Sequence, residues 1–326
     1  MLTDHWIIAQ LLAQLCIWGL LLKAGLSAVK MLRFWEGESR SSRQLELERE
    51  TYLVGSIAQL ALGFQFVALV LFLATANLHL PGMLKGAMCA TGVLELNDLG
   101  YPLLALKSLS VMVYGVFLSL NYLDGREPGY VLTPKKYWWI FPSLALLSAD
   151  LGLSIAYFAE LSPDIIATCC SVSFGNQGSA GFFHAELSGI PWDILGAFWA
   201  LGAALLLAWW RKANAWILLP LSLGFVGMGI LSLKLFFVKY IYGLPSHACL
   251  FDIFWGKYYY VGYIIFGSYY ALGFSVIFRL VIQAVKQKLS AETFGLERQL
   301  RWIGVASVLV ATVLPLMYWL LWEGNL

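Results

Sequence analysis

The chain has 326 residues, 60% of them hydrophobic, with a mean hydropathy of +0.75. Charged residues make up only 12%, against roughly a quarter in soluble domains. Composition therefore excludes a soluble globular fold and gives an all-α, polytopic integral membrane protein with the lipid bilayer as its solvent. A net charge of +2 with no basic stripe excludes nucleic acid as a partner.

A membrane-crossing helix needs about 20 mostly apolar residues. Runs of that kind predict eight spans, at 6–25, 53–75, 102–122, 138–159, 193–210, 215–237, 260–283 and 302–322. No basic segment precedes the first, so it reads as a retained span and not as a cleavable leader. Between the first two spans, 36–52 mixes charges of both signs. It reads as a solvated helix or as a docking surface for a cytoplasmic subunit.

Basic residues set the orientation. With both termini outside, 16 of the 21 Lys and Arg residues fall in inner segments or at inner helix ends, among them 30–52, 123–137, 211–214 and 284–301. In a bacterial cell the membrane is then the inner (plasma) membrane. The loops 76–101, 160–192 and 238–259 face the periplasm, where disulfides persist. The chain reads as a single transmembrane domain, 1–326. A weak hairpin repeat relates 1–75 to 260–326. Leu47, Glu48 and Arg49 lead to Leu53, Val54 and Gly55, and Leu296, Glu297 and Arg298 lead at the same spacing to Trp302, Ile303 and Gly304.

The outer loops carry the side chains with chemistry: Met88 and Cys89 in the first, Cys169, Cys170 and His184 in the second, His247 and Cys249 in the third. No CxxC, CxxCH or HExxH spacing is present, so convergence on one surface is the signal, not a motif. Three readings follow. Thiolate, imidazole and thioether together suit a soft transition metal, copper-like or zinc, handled for transport or delivery. The same cysteines would serve a quinone-linked thiol–disulfide oxidoreductase, which needs exposed thiolates. Four cysteines also match two disulfides in a non-catalytic subunit that docks a cytoplasmic or periplasmic partner. Adjacent cysteines rarely bond each other, so Cys169 and Cys170 would then take Cys89 and Cys249 as partners. Metal handling ranks first among the functional readings, and whether the chain is an enzyme does not follow from its sequence.

Two ionisable residues fall inside spans. Asp150 lies near the middle of the fourth and Lys107 inside the third. A carboxylate at that depth is costly unless paired or facing water. The expectation is an Asp150–Lys107 contact in the bundle interior, serving as an ion pair that fixes register or as an intramembrane relay.

Overall fold

The computed structural model describes residues 1–35, 41–127, 130–162, 192–243, 249–288 and 293–323. Among them the chain is all-helical with no strand, and eight helices are long and apolar enough to cross a membrane. In chain order the helices are α1 (His5–Phe34), α2 (Ser42–Ala74), α3 (Ala90–Leu94), α4 (Gly100–Asp124), α5 (Thr133–Trp138), α6 (Ile140–Glu160), α7 (Trp192–Trp210), α8 (Ala215–Ser232), α9 (Val238–Tyr242), α10 (Val261–Val285) and α11 (Thr293–Glu323). A π-helical turn, Thr75–His79, extends α2, and a second, Leu233–Phe237, joins α8 to α9. The chain divides into two compact units. One comprises Met1–Thr75, Asn97–Ser162 and Val281–Phe294, the other Ala76–Leu96, Pro163–Leu280 and Gly295–Leu326.

The first unit is built on α1, α2, α4 and α6. In it α1 packs on α2 and α6, and α4 packs on the same two helices. The Asp4 carboxylate caps α1 by accepting from the amides of Trp6 and Ile7, and the Ser41 hydroxyl caps α2 through Gln44 N. Along α1 the residues Ile7, Gln10, Gln14, Ile17, Leu21, Ala24, Ala28 and Met31 are buried, in steps of three and four. The same steps run through Leu47, Thr51, Val54, Ala58, Ala61 and Gln65 in α2. They recur through Leu103, Lys107, Ser110, Tyr114 and Phe117 in α4, and through Ser143, Leu147, Asp150, Ser154 and Tyr157 in α6. A 3.5-residue period keeps one seam of each helix against its neighbours. The seams carry polar residues as well as apolar ones. Lipid is as apolar as leucine, so burial of hydrocarbon alone does not hold such a bundle together; close packing and inward polar partners do.

At the α4–α5 turn, Lys136 Nζ lies 2.6 Å from Asp124 Oδ2, both side chains being buried. Asp124 also accepts from Leu132 N and from the Thr133 hydroxyl, each at 2.8 Å. That carboxylate is fully satisfied and fixes how the chain re-enters the bundle.

In the second unit, α7 packs on α8 through two more seams of the same period. Leu195, Phe198, Gly202, Leu205 and Trp209 are buried on α7, and Leu218, Ser222, Phe225, Gly229 and Ser232 on α8. The Phe198 and Phe225 rings stack with centroids 5.0 Å apart and planes 14° from parallel. Gly304 of α11 admits the fully buried indole of Trp209, since a Cβ there would stand 2.5 Å from Trp209 Cζ2. The Arg279 guanidinium lies 5.3 Å from the centre of the same indole, a cation–π contact.

Gly304→Val is therefore expected to destabilise the protein by about 1–3 kcal/mol, the usual cost of overpacking. Gly196→Ala in α7, where a Cβ meets nothing within 4 Å, is expected to be neutral or to stabilise by up to about 1 kcal/mol. Thermal unfolding of both variants in one detergent checks this, and equal midpoints would show that the α11–Trp209 contact is not tight.

Candidate functional site

The site lies in the second unit, where two segments far apart in sequence meet. Cys89 N-caps the short helix α3, and Cys249 opens the segment that leads through Asp252 toward α10. The two sulfurs stand 3.1 Å apart although 160 residues separate them. Both cysteines are buried, at 3% and 1% exposure. Cys89 Sγ, Cys249 Sγ and a carboxylate oxygen of Asp252 all lie within 4.8 Å of one another. The Thr91 hydroxyl is 3.5 Å from Cys249 Sγ.

Local structure fixes this approach. Asn77, buried at 2% exposure in the π-helical turn, holds both segments with one side-chain amide. Its Oδ1 accepts from Ala90 N at 3.1 Å, next to Cys89. Its Nδ2 donates to Phe251 O at 3.0 Å, two residues beyond Cys249. A π turn widens the helix by one residue per turn and recurs at functional positions. Beyond the second π turn, Gly243 adopts φ 67° and stops α9, a left-handed C-cap that suits glycine. The Tyr242 hydroxyl donates to Cys249 O.

Aromatic groups close the site. The rings of Tyr242 and Tyr258 lie 4.6 Å apart. Burial, with the Asp252 carboxylate second, pushes the Tyr258 hydroxyl above its ordinary range, so it remains a neutral phenol beside the acid. Tyr259 and Tyr260, both at φ 54°, then carry the chain into α10 in consecutive left-handed conformations. Each costs about 1–2 kcal/mol for a residue with a Cβ, and such outliers cluster near sites where the surroundings over-determine the backbone.

Of the sequence candidates, the structure brings Cys89 and Cys249 together. Their sulfurs adjoin each other without a disulfide bond between them, and Cys169 and Cys170, their partners in the two-disulfide reading, are not among the residues described. Met88 differs from its neighbour in being 63% exposed. Cys169, Cys170, His184 and His247 lie outside the described residues. Cys16 is exposed on α1, away from the buried seam. Sequence reasoning missed Asp252, Thr91 and Asn77. A signal for Asp252 was present: Cys249 and Asp252 are separated by two residues, as the ligands of a CxxC pair are.

In the first unit, Lys107 Nζ lies 2.8 Å from Asp150 Oδ1 and donates to Oδ2 at 3.1 Å. The two side chains are 3% and 2% exposed. Gln14 Nε2 donates to Asp150 Oδ2 at 3.0 Å, a third contact from α1 that the sequence reading did not include.

Comparison with protein-family models, with curated proteins and with solved structures finds no match.

Two outcomes follow from this geometry. Asn77→Leu leaves Ala90 N and Phe251 O unpaired, at about 1–3 kcal/mol for each buried group. Cys89 and Cys249 of the folded variant should then react faster with a maleimide than in the parent, as read by intact mass; unchanged rates would mean that Asn77 does not hold the loops. Removing either partner of the Lys107–Asp150 pair should cost about 3–5 kcal/mol. The double replacement Lys107→Met, Asp150→Leu should cost less than either single one, which denaturant titration of the three variants decides.

Proposed function

We propose that this chain is an integral membrane protein that holds a soft or borderline transition metal at one membrane surface. Cys89 and Cys249 act as thiolate ligands and Asp252 as a carboxylate ligand. The observation that carries this reading is the convergence of three acidic side chains on one small, largely buried volume. When deprotonated they are three negative groups, and a cation is the species that favours all three at once. Zinc accepts sulfur and carboxylate oxygen together, and copper(I) prefers the sulfurs. A three-donor set leaves a coordination position open, which suits transport or delivery of the ion.

A thiol–disulfide couple is the second reading, favoured by the 3.1 Å sulfur separation. Two thiolates on one tetrahedral zinc lie about 3.8 Å apart, given Zn–S near 2.3 Å. A disulfide needs about 2.05 Å. The pair stands between these values, so a modest movement reaches either. The Asp252 carboxylate beside both sulfurs supports the metal reading, since it adds a third anionic donor to the pair. A bond between Cys89 and Cys249 would also serve the third reading, a non-catalytic subunit whose loops are stapled.

The basic asymmetry supports an outer, periplasmic location for this centre in a bacterial inner membrane. In this reading His247 of the third outer loop, and Cys169, Cys170 and His184 of the second, are candidates for the remaining coordination position.

The test is metal content and thiol state of protein purified without chelator. About one zinc or copper per chain, lost together in Cys89→Ser and in Cys249→Ser and reduced in Asp252→Asn, is the expected result. Metal-free protein whose Cys89 and Cys249 resist alkylation until reduced would replace the metal reading with the disulfide one. Orientation is checked separately by Ser42→Cys in a background without the native cysteines. An impermeant maleimide added to intact cells should leave that position unlabelled, and labelling would invert the topology.

A further inference from the structure

We propose that the seam around Asp150 is a hydrated proton-exchange site inside the first unit, with water as its ligand. Asp150 receives Lys107 and Gln14, but the polar seam does not end there. Gln10, one helical turn from Gln14 on the same face of α1, is 1% exposed, and neither its Oε1 nor its Nε2 has a hydrogen-bond partner among the described residues. Gln14 Oε1 is in the same state. Buried polar atoms are almost always paired, with water where protein groups do not reach.

The contrast with Asp124 and Lys136 is direct. That pair is as deeply buried, and its carboxylate takes Leu132 N, the Thr133 hydroxyl and the lysine. A pair that serves only to fix register looks like that one. Around Asp150 both amide atoms of Gln10, Gln14 Oε1 and the hydroxyls of Ser110, Tyr114 and Ser154 are without a hydrogen-bond partner among the described residues. Their mixed character selects a small neutral molecule that both donates and accepts. The Lys107 ammonium disfavours a metal cation, and the Asp150 carboxylate disfavours an anion. Water both donates and accepts, and so suits this mixed set of amide and hydroxyl groups.

The polar groups buried on the seams of these helices are Lys107, Ser110 and Tyr114 on α4, Gln10 and Gln14 on α1, and Ser154 and Tyr157 on α6 beside Asp150 itself. From α2 comes the Phe72 ring, 5.4 Å from Lys107 Nζ. The pair changes state without any outside reactant. The proton on Lys107 Nζ passes to Asp150 Oδ1, which lies 2.8 Å from that nitrogen; the N–H bond breaks and the O–H bond forms, leaving an amine and a carboxylic acid. Water bridging the glutamines then lets that proton exchange with the medium.

The test is infrared difference spectroscopy of the full chain in lipid nanodiscs, exchanged between ordinary water, heavy water and oxygen-18 water. The expected result is an O–H stretch of bound water that shifts with oxygen-18, and a carboxyl band, absent in Asp150→Asn, that shifts in heavy water. In Gln10→Leu the water band should vanish and exchange of the carboxyl should slow about tenfold, equivalent to about 1.4 kcal/mol. Should Gln10→Leu fail to fold, Gln10→Asn keeps both amide atoms one methylene further back, and the water band should shift in it. Water and carboxyl bands identical to the parent in a folded Gln10 variant would overturn the proposal, as would the absence of any oxygen-18-sensitive band.

Discussion

A polar side chain turned inward from an apolar helix has to find its partner inside the protein, because lipid offers none. Each unpaired group in such surroundings costs several kcal/mol. That constraint organises what is distinctive here. Asp124 meets it in full, with a lysine, a hydroxyl and a backbone amide. Asn77 meets it by spanning two segments with one amide, and so brings Cys89 and Cys249 into contact. Asp150 meets it with Lys107 and Gln14, while both amide atoms of Gln10, one turn from Gln14 on α1, have no partner among the described residues. Structure and chemistry are therefore hard to separate in this protein: the groups that fix its geometry are the same ones that offer a site.

Apolar packing supplies the frame. The repeated steps of three and four along α1, α2, α4 and α6 give one seam per helix, and α7 and α8 follow the same rule in their own unit. Small residues set how closely the seams approach. Gly202 lies against the Phe225 ring and Gly304 against Trp209, so the aromatic groups interlock with glycine and not with one another alone. Rigid seams of this kind let an amide such as Asn77 hold a fixed distance between loops.

Eight apolar helices were legible from run length and hydropathy alone, because the bilayer demands about 20 such residues per crossing. The inward placement of Asp150 followed from the cost of a carboxylate in hydrocarbon, and Lys107 from its depth. Gln14 was not legible as a partner, although Gln10 and Gln14 share a face at four-residue spacing; the seam period becomes visible only once burial is known. At the thiol centre, cysteine type and shared sidedness marked Cys89 and Cys249. Their mutual pairing was not legible, since nothing in a spacing of 160 residues favours Cys249 over Cys169 or Cys170. Asn77 was hidden for a physical reason as well: an asparagine at a helix end ordinarily signals a turn, and only the π-helical geometry turns it inward to bridge two loops.

The account rests on Cys89, Cys249 and Asp252 acting on one ion. X-ray absorption at the metal edge of zinc-loaded protein reads that coordination directly. The account predicts two sulfur scatterers near 2.3 Å with lighter oxygen or nitrogen atoms near 2.0–2.2 Å. A shell of light atoms alone, in protein whose two thiols remain intact, would contradict it.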